Sequence, residues 1–189
     1  MFSIAQKPLS YVDALDRRAR DSIRSVVIHA TELPDMETAR EYGERVHYEE
    51  SGTGNSGHFY IDRDGSVEQW VPLDRVAHHV RGHNAGSVGI ELINRGRWPD
   101  WYDSRHQEWE ETFPDAQIRA LIELLSMLES ELPALAEIAG HDQLDHDWIG
   151  ASDNPEILVR RKMDPGPAFP WTQVLSATSL QLYHASEGK

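Results

Sequence analysis

Short apolar runs separated by turn residues, with one long amphipathic stretch among them, set the plan of this chain. Ser25-Val26-Val27-Ile28 is a β-branched run that reads as a buried strand ending at His29. Pro34-Asp35 is a helix start, and the composition stays helical to about Glu49. Ser51 to Gly57 is a Ser/Gly/Asn loop. His58-Phe59-Tyr60-Ile61 and the run from Ser66 to Val71 flank Asp62-Arg63-Asp64-Gly65, which predicts a hairpin with an Asp-Gly turn. Ser87 to Ile93 predicts a central strand with apolar residues on both faces. Arg95 to Phe113 is too polar and aromatic for a core element and reads as a long loop. Pro114-Asp115 opens the clearest helix, with Ile118, Leu121, Ile122, Leu125 and Leu128 along one face. A short segment near Ile138 leads to His141, and a polar loop follows. Two more helices are expected, an Arg-rich one over about Tyr11 to Asp21 and a last one from about Trp171 to Leu182. Strands interleaved with helices predict an α/β fold, a sheet with helices packed on its faces.

Composition narrows the function more than the fold. A length of 189 residues suits a single domain spanning the chain, with its core from about residue 22 to 182. The formal charge of -14 and the lack of a basic stripe argue against a nucleic-acid partner. No window is apolar enough to span a membrane, so no membrane partner is expected. No signal-peptide core is visible, which makes the expected location cytoplasmic. With no cysteine, any metal must be held by His, Asp or Glu.

Ten histidines make a metal site worth seeking. His29 ends an apolar strand, where a rigid element can aim its ring. His141 follows Gly140 after another apolar run, and Asp164 lies between Met163 and Pro165 in a proline-stiffened segment. Two imidazoles and a carboxylate with a fourth position open form a catalytic zinc arrangement. The plainer alternative makes His29 a core histidine and Asp164 a turn residue.

A resemblance bears on that choice. Val26-Val27-Ile28-His29, Gly57 to Gly65, His79, Asn84 to Leu92, Ala116-Gln117-Ile118, Gly140-His141 and Arg161 to Phe169 stand in the order found in the N-acetylmuramoyl-L-alanine amidase family. That family includes recycling amidases, phage amidases and peptidoglycan recognition proteins. The resemblance implies a central mixed sheet flanked by helices, with one zinc in a surface groove. It implies His29, His141 and Asp164 as ligands, Glu91 as the acid/base carboxylate and Lys162 as the oxyanion-stabilising cation. His58, His79, Asn84 and Arg161 are implied as residues of the substrate groove; His58 and His79 there either touch substrate or orient a ligand, with a hydrogen-bonded structural histidine as the plainer alternative, and for Arg161 that alternative is a surface salt bridge. Zinc lowers the pKa of a bound water to about 7 and so supplies the nucleophile an unactivated amide needs.

The implied substrate is a muropeptide or peptidoglycan fragment, cut between the muramoyl lactyl group and L-alanine by a monomer in wall recycling. The alternatives are a phage-type endolysin acting on intact wall and a recognition module without metal. Asp142 to Arg161 is longer than in related amidases, which leaves His146 as an alternative ligand to His141; Gly-His after an apolar run favours His141. Gly57 stands where some relatives have a tyrosine, so no role for that tyrosine carries over. Trp98, Trp101, Tyr102 and Trp109 either wall the groove or pack their own loop.

Overall fold

A computed structural model of the protein describes residues 2–184. In chain order its elements are β1 (Ile4–Gln6), β2 (Ser25–Ala30), α1 (Met36–Gly43), β3 (Phe59–Ile61), β4 (Val67–Gln69), β5 (Ser87–Leu92), α2 (Asp115–Glu131) and β6 (Glu137–Gly140). There follow α3 (His141–Leu144), β7 (Trp148–Gly150), β8 (Leu158–Arg160), α4 (Trp171–Ser176) and β9 (Gln181–Leu182). Among the described residues, seven strands form one sheet in the order β1-β4-β3-β5-β2-β6-β9. Only the β3–β4 hairpin is antiparallel; every other pair runs parallel, so the sheet is mixed. Among the described residues no helix is long and apolar enough to cross a membrane.

β5 takes the central place, but its two faces differ. Val88, Ile90 and Leu92 enter the larger core with Val26 and Ile28 of β2 and with Ile118, Leu121, Leu124, Leu125 and Leu128 of α2. Each such leucine contributes about 1.5–3 kcal/mol by leaving water. Ser87, Gly89 and Glu91 are the alternate residues, and a strand turns these to the other face. The expectation of apolar residues on both faces holds at the end of the run, where Ile93 is buried in a second cluster with Tyr60 and Trp70, while Ser87, Gly89 and Glu91 leave the rest of that face to polar side chains.

Tertiary contacts override local preference elsewhere. Tyr11 to Asp21 is not a helix. It holds two single turns, Val12–Ala14 and Arg20–Ser22, because its backbone pairs with the segment after β4 through Arg18 N–H to the Asp74 carbonyl and Val76 N–H to the Asp16 carbonyl. α1 begins as expected, with Asp35 Oδ1 accepting from Thr38 N–H at 2.7 Å, but ends at Gly43. There the Tyr11 hydroxyl donates to the Gly43 carbonyl, and Trp70 packs so closely that a Cβ on Gly43 would lie 3.0 Å from its ring. α4 ends at Ser176, after which Ser179 donates to Glu129 and the chain returns to the sheet as β9. The polar link after His141 contains the two-stranded β7–β8 hairpin.

Gln117 ties helix to sheet. It is buried on α2, and its Nε2 donates to the carbonyls of Ile61, the last residue of β3, at 2.9 Å and of Ile93, just past β5, at 3.0 Å. Gln117→Leu keeps the volume and strips a donor from the Ile93 carbonyl, a cost of about 1–3 kcal/mol. Urea unfolding is expected to show a lower midpoint with an unchanged slope; an unchanged midpoint would mean the bonds contribute nothing net.

Candidate metal centre and groove

Four adjacent strands deliver polar side chains at one level. Tyr60 on β3 is in register with Glu91 on β5, and Glu91 with His29 on β2. Ile28 is in register with Gly140 on β6, so His141, the first residue of α3, comes level with His29. Asp164 arrives from the segment after β8, where its carbonyl accepts from Asp142 N–H at 2.9 Å.

The structure thus brings His29, His141 and Asp164 together, with one ligand atom from each within 4.8 Å of the others. Asp164 Oδ2 lies 2.9 Å from His29 Nδ1 and 3.1 Å from His141 Nδ1. All three residues are buried, and His141 Nε2 and Asp164 Oδ1 have no hydrogen-bond partner. Burial pushes the Asp164 carboxyl up, but His141 and His29 beside it hold it well below the ordinary carboxylate range. Two ring nitrogens and an ionised oxygen turned on one point fit a divalent cation, and the donor set suits zinc. His146 is exposed and does not line this cavity, so geometry favours His141.

Glu91 Oε1 lies 4.0 Å from His29 Nδ1. Burial raises its pKa; His29 pulls the other way, Asp164 adds to the rise, and Lys162 opposes it. Gly57 makes room for this carboxylate, since a Cβ there would sit 2.7 Å from Glu91 Cγ. Lys162 and Arg161 line the same cavity, which holds about 660 Å³. Arg161 is already engaged there by Asp145 and, at 3.7 Å, by Asp147.

The remaining residues named from the sequence are placed unequally. His58 is fully buried and does not line the cavity; its Nδ1 accepts from Gly89 N–H at 3.0 Å. Burial, with the Arg18 guanidinium beside it, holds its pKa well below the usual value. His79 and Asn84 do line the cavity. Asn84 Oδ1, however, is occupied by the backbone N–H groups of His79 and Val80. Burial, then the neighbouring histidines, hold His79 well below its ordinary pKa as well.

Away from His29, His141 and Asp164 the cavity runs past Tyr42, His47, Tyr48, His78, Trp101 and Tyr102. The aromatic loop serves both expected purposes. Trp101 and Tyr102 wall the groove, while Trp98 packs on Trp101 at 5.2 Å and Trp109 covers Gly166, where a Cβ would meet its ring at 2.4 Å. Tyr60, His47 and His78 were not singled out in the sequence. Tyr60 had a readable signal, since it alternates with Phe59 and Ile61; the two histidines had none. A buried pair was also missed: the Arg97 fork grips Glu32 at 2.7 and 2.9 Å and donates to the Arg160 carbonyl at 2.9 Å.

Known proteins agree with this arrangement. The family profile of N-acetylmuramoyl-L-alanine amidase (Amidase_2) matches residues 19–167. The 1,6-anhydro-N-acetylmuramyl-L-alanine amidase AmpD of Enterobacter cloacae is 33% identical over 122 residues, covering 60% of this chain and 51% of AmpD. The chain thus spans about half the length of the curated relatives it matches. Among solved structures, the amidase LysC of Clostridium intestinale URNW superposes with a TM-score of 0.67 at 21% identity, over 95% of this chain and 99% of LysC. The amidase AmiD of E. coli, in complex with anhydro-N-acetylmuramic acid-L-Ala-D-gamma-Glu-L-Lys, superposes with a TM-score of 0.63 at 24% identity, over 91% of this chain and 63% of AmiD. These likenesses show a shared fold. The profile reaches from just before β2 past Asp164, and the chain belongs to the N-acetylmuramoyl-L-alanine amidase family.

Proposed function

We propose that the protein is a zinc amidase that hydrolyses the bond between N-acetylmuramic acid, or its 1,6-anhydro form, and the L-alanine of a stem peptide. The observation that carries this is the convergence of His29, His141 and Asp164 on one point, with the Glu91 carboxyl beside it in a long groove. A zinc ion held by those three residues acidifies water and polarises the scissile carbonyl. Glu91 takes the proton from the attacking water and gives it to the departing amine of L-alanine, a group that leaves poorly unless protonated. A carboxyl raised by burial suits both halves of that task. Lys162 turns its ammonium to the oxyanion, a contact worth about 3 kcal/mol in comparable sites. Trp101 and Tyr102 offer faces on which a sugar ring can stack.

The reading extends to wall recycling in the cytoplasm, with soluble muropeptides as substrates and residues 1–189 acting as one catalytic domain. The net charge of -14 supports it by disfavouring adsorption to anionic wall polymers.

Zinc content measured alongside hydrolysis of a soluble anhydromuramoyl-tripeptide tests the whole reading. One zinc per chain and release of free peptide are expected, both lost on chelation or in Asp164→Ala; turnover that survives metal removal would sink it. Glu91→Gln is expected to keep its zinc and lose at least about 100-fold in kcat. Wild-type turnover in that variant would remove Glu91 from the mechanism. Gly57→Ala displaces the Glu91 side chain without touching a ligand. Its kcat is expected to fall about 10- to 100-fold at full zinc occupancy.

A further inference from the structure

His79 stands behind His29, and the direction of the hydrogen bonds between them follows from their far end. Ser87 Oγ donates to the His83 carbonyl at 2.8 Å. A carbonyl only accepts, so the one hydroxyl proton of Ser87 is used there. The 3.1 Å contact between Ser87 Oγ and His79 Nε2 is then a bond donated by His79 Nε2–H. In the neutral ring this leaves Nδ1 of His79 as a bare acceptor. Its 2.9 Å contact with His29 Nε2 is therefore donated by His29. With its proton on Nε2, His29 has Nδ1 left to offer to a cation shared with Asp164 Oδ2 and His141.

The rest of the surroundings is built around the same ring. His79 lies so close over β5 that a Cβ on Gly89 would come within 2.6 Å of it. Its backbone turn is held by Asn84 Oδ1, which accepts from His79 N–H at 3.0 Å and Val80 N–H at 2.8 Å. Ser87 and Gly89 are alternate residues of β5 on the face that also carries Glu91.

We propose that His79 is a positioning residue that sets the tautomer and ring orientation of His29, with Ser87 and Asn84 holding His79, so that Nδ1 of His29 is presented bare to the cation. The proposal rests on the metal reading of the site and assigns His79 and Asn84 to metal presentation instead of substrate contact. Most ligating histidines are steered by a carboxylate or a carbonyl; here a second imidazole does it.

The test is zinc affinity, measured by competition with a chromophoric chelator, in the wild type, His79→Phe, His79→Asn and Ser87→Ala. Thermal unfolding of each metal-free protein checks that it folds. His79→Phe keeps a ring but no acceptor and is expected to weaken zinc binding about 10- to 100-fold. His79→Asn places an oxygen where Nδ1 was and is expected to recover part of that loss. Ser87→Ala is expected to fall between the two. Wild-type affinity in His79→Phe, or no recovery in His79→Asn, overturns the proposal. A wild type that binds no zinc overturns the metal reading and this proposal together.

Discussion

The parallel register of β5, β2 and β6 is the constraint on which the site depends. Once Glu91 stands beside His29, and Gly140 beside Ile28, three groups far apart in the chain come level at the ends of neighbouring strands. A slip of one residue in any of these pairings would turn the side chains of a strand to the opposite face. The histidine would then enter the core with α2, and Val26 or Ile28 would face the groove. The apolar alternate residues forbid that slip, so the same burial that stabilises the fold also sets the geometry of the site.

That arrangement has a cost, and the glycines show where it falls. The polar face holds His29, Glu91, His79 and His58 within a few strands, with Asp164 against them. Space is the first difficulty: Gly57 yields its side-chain volume to Glu91, and Gly89 yields its own to His79. Charge is the second, since two carboxyls side by side in a buried site disfavour joint ionisation. The difference in their surroundings resolves it. Asp164, between two histidines, stays ionised, while burial pushes Glu91 the other way. One carboxyl is fitted to hold a cation and the other to carry a proton.

How much of this was legible follows from how each element is stabilised. The β2 strand, the β3–β4 hairpin, the central place of β5 and the α2 helix were readable, because their own residue patterns suffice to specify them. The Tyr11 to Asp21 segment misled because its Arg-rich composition is helical, while Arg18 bonds outward to the Leu73 and Ser87 carbonyls. The second face of β5 was legible only in part, at Ile93, because Gly89 and Ser87, small and uncharged, hide an alternation that Glu91 alone reveals. His29, His141 and Asp164 were found through flanking motifs, not spacing, since nothing in a linear chain says that those three meet. His79 lines the cavity, but its hydrogen bonds run through Ser87 and His83, which no periodicity connects to it.

Asp164 poses a different structural problem from the two histidines. His29 lies on β2 and His141 directly follows β6 as the first residue of α3, whereas Asp164 lies in a loop with no ladder to hold it. Its support is the Arg97–Glu32 pair, in which the Arg97 side chain is 1% exposed and bonded to both Glu32 oxygens and to the Arg160 carbonyl. Glu32 takes a left-handed backbone, φ 49°, that few non-glycine residues adopt, and lies two residues past the end of β2. The ion pair therefore links the end of the strand that bears His29 to the segment that bears Asp164. A buried pair of this kind adds little net stability compared with apolar residues of the same size, but loss of either partner strands a charge. Its directional bonds fix the segment before Asp164 against the end of β2, which non-directional packing does not do.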